Sequence, residues 1–207
     1  MLELYHSPDS RAFRCLWLLE EMGLEYKLHV MPFPPRVSSP DYLALNPLGT
    51  IPLLVDGEAR LSESGAILEY LTFRCGPTPL LVGPDEAAFG AWLNWIHFGE
   101  ATLTTPQTVT LRYAVFEPEE RRQPGVASDY AAVFLDRLRA VAGALEGKAY
   151  LCADRFTAAD ISVAYALMLA RFIGVDKQMP EVVRDYLARL QERPAYRAAR
   201  AAQKVGT

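Results

Sequence analysis

The apolar residues keep two different periods, and the change comes near residue 75. Before it, Leu2-Glu3-Leu4-Tyr5-His6 alternates apolar and polar, the pattern of a half-buried strand. From Arg11 to Met22, the residues Ala12, Cys15, Leu16, Leu19 and Met22 fall on one helical face, and Gly23 follows as a C-cap. Tyr26, Leu28 and Val30 alternate again. Met31-Pro32-Phe33-Pro34-Pro35 excludes regular structure, because its prolines remove backbone donors. Asp41 to Leu45 predicts a short helix, ended by Asn46-Pro47-Leu48-Gly49. Ile51 to Val55 predicts a strand, Asp56-Gly57 a hairpin turn, and Ala59 to Leu61 the returning strand. Ser62-Glu63-Ser64-Gly65 then opens a helix carrying Ile67, Leu68, Tyr70 and Leu71. The predicted order is β-α-β-α-β-β-α.

Cys75-Gly76-Pro77-Thr78-Pro79, followed by Gly83-Pro84, reads as a linker, and the strand signals vanish after it. Helical patterns run from Ala87 to Thr104, Tyr130 to Leu145, Ala158 to Phe172 and Glu181 to Gln191, and Pro194 opens a short last helix. The expected organisation is an α/β domain over residues 1–75, a linker over 76–84 and an all-helical domain over 85–207. Thr157 and Asp160 form a capping box in which Asp replaces the usual Glu or Gln, with Phe156 and Ile161 placed as its staple. That feature is structural.

Composition narrows the function. The chain of 207 residues is 51% apolar and 22% charged, so it is globular. A net charge of −4 does not favour nucleic acid or an anionic membrane surface, both of which call for excess basic charge. No apolar run approaches the ~20 residues that span a bilayer. The start, Met1 to His6, lacks the basic and apolar regions of a secretory signal. Three dispersed cysteines (Cys15, Cys75, Cys152) argue against a disulfide scaffold and for a reducing, cytoplasmic setting. With three dispersed histidines (His6, His29, His97) they offer no metal-ligand spacing.

The β-α-β-α-β-β-α order is that of a thioredoxin-like domain, whose reactive motif follows the first strand. A redox member carries Cys-x-x-Cys there; this chain has Ser7-Pro8-Asp9-Ser10, so dithiol exchange is disfavoured. A hydroxyl at a helix N-terminus can donate to a thiolate beside the positive end of the dipole. Equally, Ser10 or Asp9 can be the N-cap of the helix. Pro52 inside a strand belongs at an edge or bulge, where it blocks aggregation. If the Ile51–Pro52 bond is cis, the Ile51 backbone is offered to an extended peptide, which is β-augmentation. Glu63-Ser64 at a strand-to-helix junction suits an amino acid head group. Ser64 and free N–H groups would take the carboxylate, and Glu63 the ammonium. The same pair also serves as an ordinary helix cap.

With Asp154-Arg155-Phe156-Thr157-Ala158-Ala159-Asp160-Ile161, these segments carry a resemblance. Ser7 to Ala12, Asn46 to Pro52 and Ser62 to Ile67, in that order, resemble the cytosolic glutathione transferase family, most closely bacterial members of its serine-type branches. The resemblance covers essentially the whole chain. It implies a thioredoxin-like N-terminal domain, an all-α C-terminal domain, and glutathione as co-substrate with no metal. It further implies a homodimer, for which the sequence itself offers only the apolar linker residues Leu80 and Leu81.

Carried over residue by residue, the resemblance puts glutathione's cysteine backbone on Ile51 and Pro52 and its γ-glutamyl group on Glu63 and Ser64. The thiol-activating hydroxyl falls on Ser10 first, Ser7 second and the strand residue Tyr5 third. Relatives often place Lys or Gln before the Ile51 position, where this chain has Thr50, so the cationic role is either empty or passes to another residue such as Arg11 or Arg36. The pocket for a small hydrophobic electrophile is expected to involve Phe98, Thr102, Thr105, Arg112, Tyr113 and Phe116. The implied enzyme joins the glutathione thiolate to that electrophile. The alternatives are glutathione-dependent disulfide or peroxide reduction, and a non-catalytic binding or regulatory protein on the same fold.

Overall fold

Strand β1 (Leu2–His6) alternates as predicted, with Leu2, Leu4 and His6 buried, and it pairs on both sides. It runs parallel to β2 (Tyr26–Val30), with Leu4 opposite Leu28, and antiparallel to β3 (Leu53–Asp56), with Tyr5 opposite Leu53. Strand β4 (Ala59–Leu61) closes the hairpin onto β3, giving the order β2-β1-β3-β4. This is the thioredoxin-like sheet. The computed structural model describes residues 1–204.

Helix α1 (Ala12–Met22) ends at Gly23, whose left-handed φ of 61° suits glycine. Every residue from Ala12 to Leu19 is buried, more than the single apolar face that the sequence predicts. The cause is that α1 contacts β1, helix α3 (Ser64–Arg74) and helix α9 (Pro194–Ala202). Tyr196 of α9 sits edge-on against Phe13 and Trp17, with centroids 5.6 and 5.0 Å away. Arg193 forks onto Glu21 through bonds of 2.6 and 2.7 Å.

The chain divides between Leu81 and Val82, inside the expected linker, but residues from Gln191 on join the first unit. The last helix thus groups by its contacts with the first unit, while in sequence it follows the helical segments expected over 85–207. An amphipathic last helix has no local signal for which core it covers, and its aromatic contacts settle the matter. One correction concerns residues 31–45. A one-turn helix α2 (Pro35–Ser38) starts in the proline-rich segment, since proline is tolerated at the first helical position, and a 3-10 turn follows over Pro40–Ala44. Leu80, offered as an apolar residue for dimerisation, is buried in its own unit.

The second unit, Val82–Leu190, is helical. Helix α4 (Phe89–His97) passes through a π-helical stretch at Phe98–Thr104 into α5 (Thr105–Leu111), and a second π stretch follows at Arg112–Phe116. Helices α6 (Pro124–Ala144), α7 (Ala158–Leu169) and α8 (Glu181–Gln191) complete it. Helix α7 is buried along its whole length and opens with the predicted capping box.

At Gly99 the first π stretch touches α7. A Cβ there would lie 2.4 Å from Ser162 Oγ and 2.7 Å from the Ser162 backbone. Gly99→Ala should therefore cost about 2 kcal/mol or more from overpacking, read as a lower urea midpoint at unchanged slope. A midpoint equal to wild type would refute this close contact.

Candidate active site

Four chain segments leave the sheet at one end. β1 runs on into Ser7-Pro8-Asp9-Ser10, and Val30, opposite His6, leads to Met31. Because β3 is antiparallel to β1, its entry at Ile51-Pro52 lies at that same end, continuing the register in which Tyr5 faces Leu53. β4 reverses once more, so Leu61, opposite Leu54, delivers Ser62-Glu63-Ser64 there too. Strand ends of this kind, with helix N-termini beside them, are where open α/β sheets hold ligands.

The two serines are in different circumstances. Ser7 is fully buried, and its hydroxyl donates to the Met31 carbonyl at 2.7 Å. Ser10 is half-buried; its hydroxyl donates to the Ser7 carbonyl at 2.7 Å and accepts from the Ala12 N–H at 3.3 Å. Ser10 thus occupies the entry of α1, and its carbonyl accepts from the Phe13 N–H at 2.9 Å. Tyr5 is packed instead, stacked on His29 with centroids 4.3 Å apart and tilted against Tyr42. Burial raises its phenol pKa further, the wrong direction for activating a thiol.

The Ile51–Pro52 bond is cis, and both residues are buried just ahead of β3. The turn before them is held by two residues that the periodicity did not single out. Tyr42 Oη and Asn46 Nδ2 each donate to the Thr50 carbonyl at 2.8 Å. Gly49, at φ 58°, is required, because a Cβ would meet Arg36 Cβ at 2.5 Å. Thr50 and Arg36 are exposed and Arg11 is half-buried.

Glu63 is exposed and extended, and Ser64 begins α3, almost fully buried. The Ser64 hydroxyl accepts from Arg14 Nη1 at 3.3 Å. Arg14 has no solvent exposure, so a buried cation stands directly behind this helix N-terminus. The sequence reading missed it. Its one signal was an arginine between Phe13 and Cys15 on a strongly apolar helix.

The expected electrophile residues all lie on the long helix of the second unit. Phe98 and Thr102 are in its first π stretch, Thr105 follows, and Arg112, Tyr113 and Phe116 make up most of the second. Arg112 is held by Glu117 at 2.8 Å and lies 5.5 Å over the Tyr113 ring, and Phe116 is 62% exposed. Thr105 is exposed and the Thr102 carbonyl accepts from Arg137 at 2.6 Å.

Two family models account for most of the chain: the N-terminal domain of glutathione S-transferase over residues 1–72 and its C-terminal domain over 123–201. The chain is 32% identical over 171 residues to glutathione S-transferase 3 of Zea mays, covering 79% of this chain and 75% of that protein. The chain belongs to the glutathione S-transferase family. Another relative, glutathione S-transferase 3 of Schizosaccharomyces pombe, is 29% identical over 99% of this chain and 88% of its own length. The fold is also that of a sphingomonad glutathione S-transferase solved with glutathione (TM-score 0.86, 22% identity, 99% of this chain and all of that one). This is therefore the fold and family of an enzyme that uses glutathione. Among the described residues no helix is long and apolar enough to cross a membrane.

Proposed function

We propose that this transferase joins the thiolate of glutathione to a small hydrophobic electrophile, with Ser10 activating the thiol. The observation that carries the reading is the gathering of Ser10, Ile51-Pro52 and Glu63-Ser64 at one end of the sheet, while the Ser7 hydroxyl is buried on Met31. Ile51 and Pro52 hold the cysteine backbone, and Glu63 and Ser64 the γ-glutamyl head group, with the Arg14 charge behind Ser64 favouring a carboxylate there. Thr50 supplies no cation, so Arg11 and Arg36 are the neighbouring sources of one. Phe98, Thr102, Thr105, Arg112, Tyr113 and Phe116 are assigned to the electrophile. Five of these six residues, all but Thr105, lie in the two π stretches, which are frequent at functional sites. The reading includes a cytoplasmic homodimer, checked by a sedimentation mass of twice 23.1 kDa.

The required magnitude is modest. A thiol of pKa ~8.5 is about 3% ionised at pH 7, and lowering it by two units takes roughly 2.7 kcal/mol. A hydroxyl donating to a charged acceptor contributes ~1.5–3 kcal/mol, and a helix N-terminus ~0.3–1. The Ser10 hydroxyl has one proton, now on the Ser7 carbonyl. Turning it to a thiolate exchanges a neutral hydrogen bond of about 1 kcal/mol for a stronger one. The nucleophile is the substrate's own thiol; burial pushes the Cys15 thiol up to about 12, which keeps it inert.

The test is retention on immobilised glutathione, then conjugation of an aromatic halide by wild type, Ser10→Ala and Ser7→Ala. Losing ~2 kcal/mol of thiolate stabilisation raises the bound-thiol pKa by about 1.5 units. Conjugation by Ser10→Ala should then fall about eightfold at pH 7, more than twentyfold at pH 6, and recover by pH 9 as the thiol ionises unaided. Glutathione affinity should change much less. If Ser7→Ala is the crippled variant, the hydroxyl is Ser7. Retention without conjugation would replace the transferase reading by that of a binding protein.

A further inference from the structure

The loop that carries Ser10 is held from the far end of the chain. Asp9 has a left-handed φ of 58°, uncommon for a residue with a Cβ. Its backbone N–H donates to Gln203 Oε1 at 3.2 Å, and its carboxylate Oδ1 accepts from Gln203 Nε2 at 3.3 Å and from Arg200 Nη1. Gln203 is buried, and the Arg200 guanidinium lies 5.6 Å over the Phe13 ring. At the opposite end of α9, Arg193 grips Glu21, and Tyr196 packs between on Phe13 and Trp17. Helix α9 is therefore fastened along α1 at both ends, and one fastening is the residue immediately before Ser10.

That placement has an electrostatic consequence. A bare carboxylate one residue from the activating hydroxyl would oppose a thiolate there, since like charges nearby favour the protonated form. We propose that Arg200 is a positioning residue for thiol activation: it turns the Asp9 charge into a neutral pair while Gln203 holds the Asp9 backbone, so the thiolate forms beside Ser10 without a competing anion. The inference deepens the proposed function and rests on it. Charged or titratable groups also near the loop include Arg11, next in the chain, and His6, which is buried and neutral at the pH of the measurement.

The experiment reads the pKa of glutathione bound to the full-length protein from its thiolate absorbance in the ultraviolet, with S-methylglutathione as the blank. Arg200→Gln exposes the Asp9 carboxylate and should raise that pKa by about one unit, cutting conjugation most at low pH. Arg200→Lys keeps the charge and should stay near wild type. Asp9→Asn combined with Arg200→Gln removes both charges and should bring the pKa back down, with Gln203 still in place. Thermal unfolding of each variant confirms that the protein read is folded. A wild-type pKa in folded Arg200→Gln overturns the inference. A raised pKa that the double variant fails to reverse also overturns it, because that marks a purely structural role. No depressed thiol pKa in the wild type overturns the proposed function and this inference together. A depressed pKa that Ser10→Ala abolishes and Arg200→Gln leaves unmoved overturns this inference alone.

Discussion

Asp160→Ala should destabilise the protein by roughly 3–5 kcal/mol, among the largest effects of any single substitution. The carboxylate is fully buried and is satisfied by neutral hydrogen-bond donors. Tyr186 Oη donates at 2.7 Å, the Thr157 N–H at 2.8 Å, the Leu151 N–H at 3.1 Å and the Thr157 hydroxyl at 3.2 Å. Burial pushes its pKa up, and those donors pull it back. Alanine removes every acceptor at once and leaves buried N–H and O–H groups unmet, at about 1–3 kcal/mol each where water cannot reach. It also deletes the capping box of α7, worth about 1 kcal/mol. Tyr186→Phe removes one donor and should cost only ~1 kcal/mol. Equilibrium unfolding in urea gives both values, and a loss below ~1 kcal/mol for Asp160→Ala would show that the hub is dispensable.

Asp160 illustrates what a sequence reading reaches. The Thr157–Asp160 spacing names a helix start three residues apart, and the helix is there, because capping is local chemistry. Tyr186 and Leu151, which complete the hub, are 26 and 9 residues away and leave no periodic trace. The same division runs through the candidate site. Ser7 to Ser10, Ile51-Pro52 and Glu63-Ser64 stand out because proline, serine and an acidic residue are unusual where strands meet helices. Arg14 does not, since an arginine in an apolar helix means nothing until its partner is placed, and Asn46, legible only as part of a turn segment, shows its bond to the Thr50 carbonyl only in the fold. The π stretches escape detection because an extra residue in a helical turn shifts the apolar stripe without breaking it. The attachment of α9 to the first unit escapes because Asp9 and Arg200 are 191 residues apart. Local pattern reads elements; long-range pairing decides which core they join.

His6 gives the pH dependence. It is fully buried at the end of β1, neither ring nitrogen has a hydrogen-bond partner among the described residues, and burial lowers its pKa to about 4. Gln203, the Ala12 backbone and the Asp9 charge offset that burial only in part. In the unfolded chain the imidazole titrates near 6.5, so between pH 6.5 and 4 the unfolded state binds the extra proton. Stability is therefore full above pH 6.5, falls as the pH drops toward 4, and loses no more to this group below that. A depression of this size corresponds to roughly 3 kcal/mol. Other carboxylates also lose their partners in acid, so the quantity to read is the difference between wild type and His6→Gln in urea unfolding at a series of pH values. Wild type should lose roughly 3 kcal/mol more than His6→Gln from pH 7 to pH 4, with His6→Leu behaving as His6→Gln does. Parallel curves would mean that the buried imidazole finds a partner for its proton in the native state. Because His6 lies beneath the loop that Gln203 and Asp9 hold, acid should loosen that loop first, and hydrogen exchange at the Asp9 and Ser10 amides should quicken below pH 6.5 in wild type but not in His6→Gln.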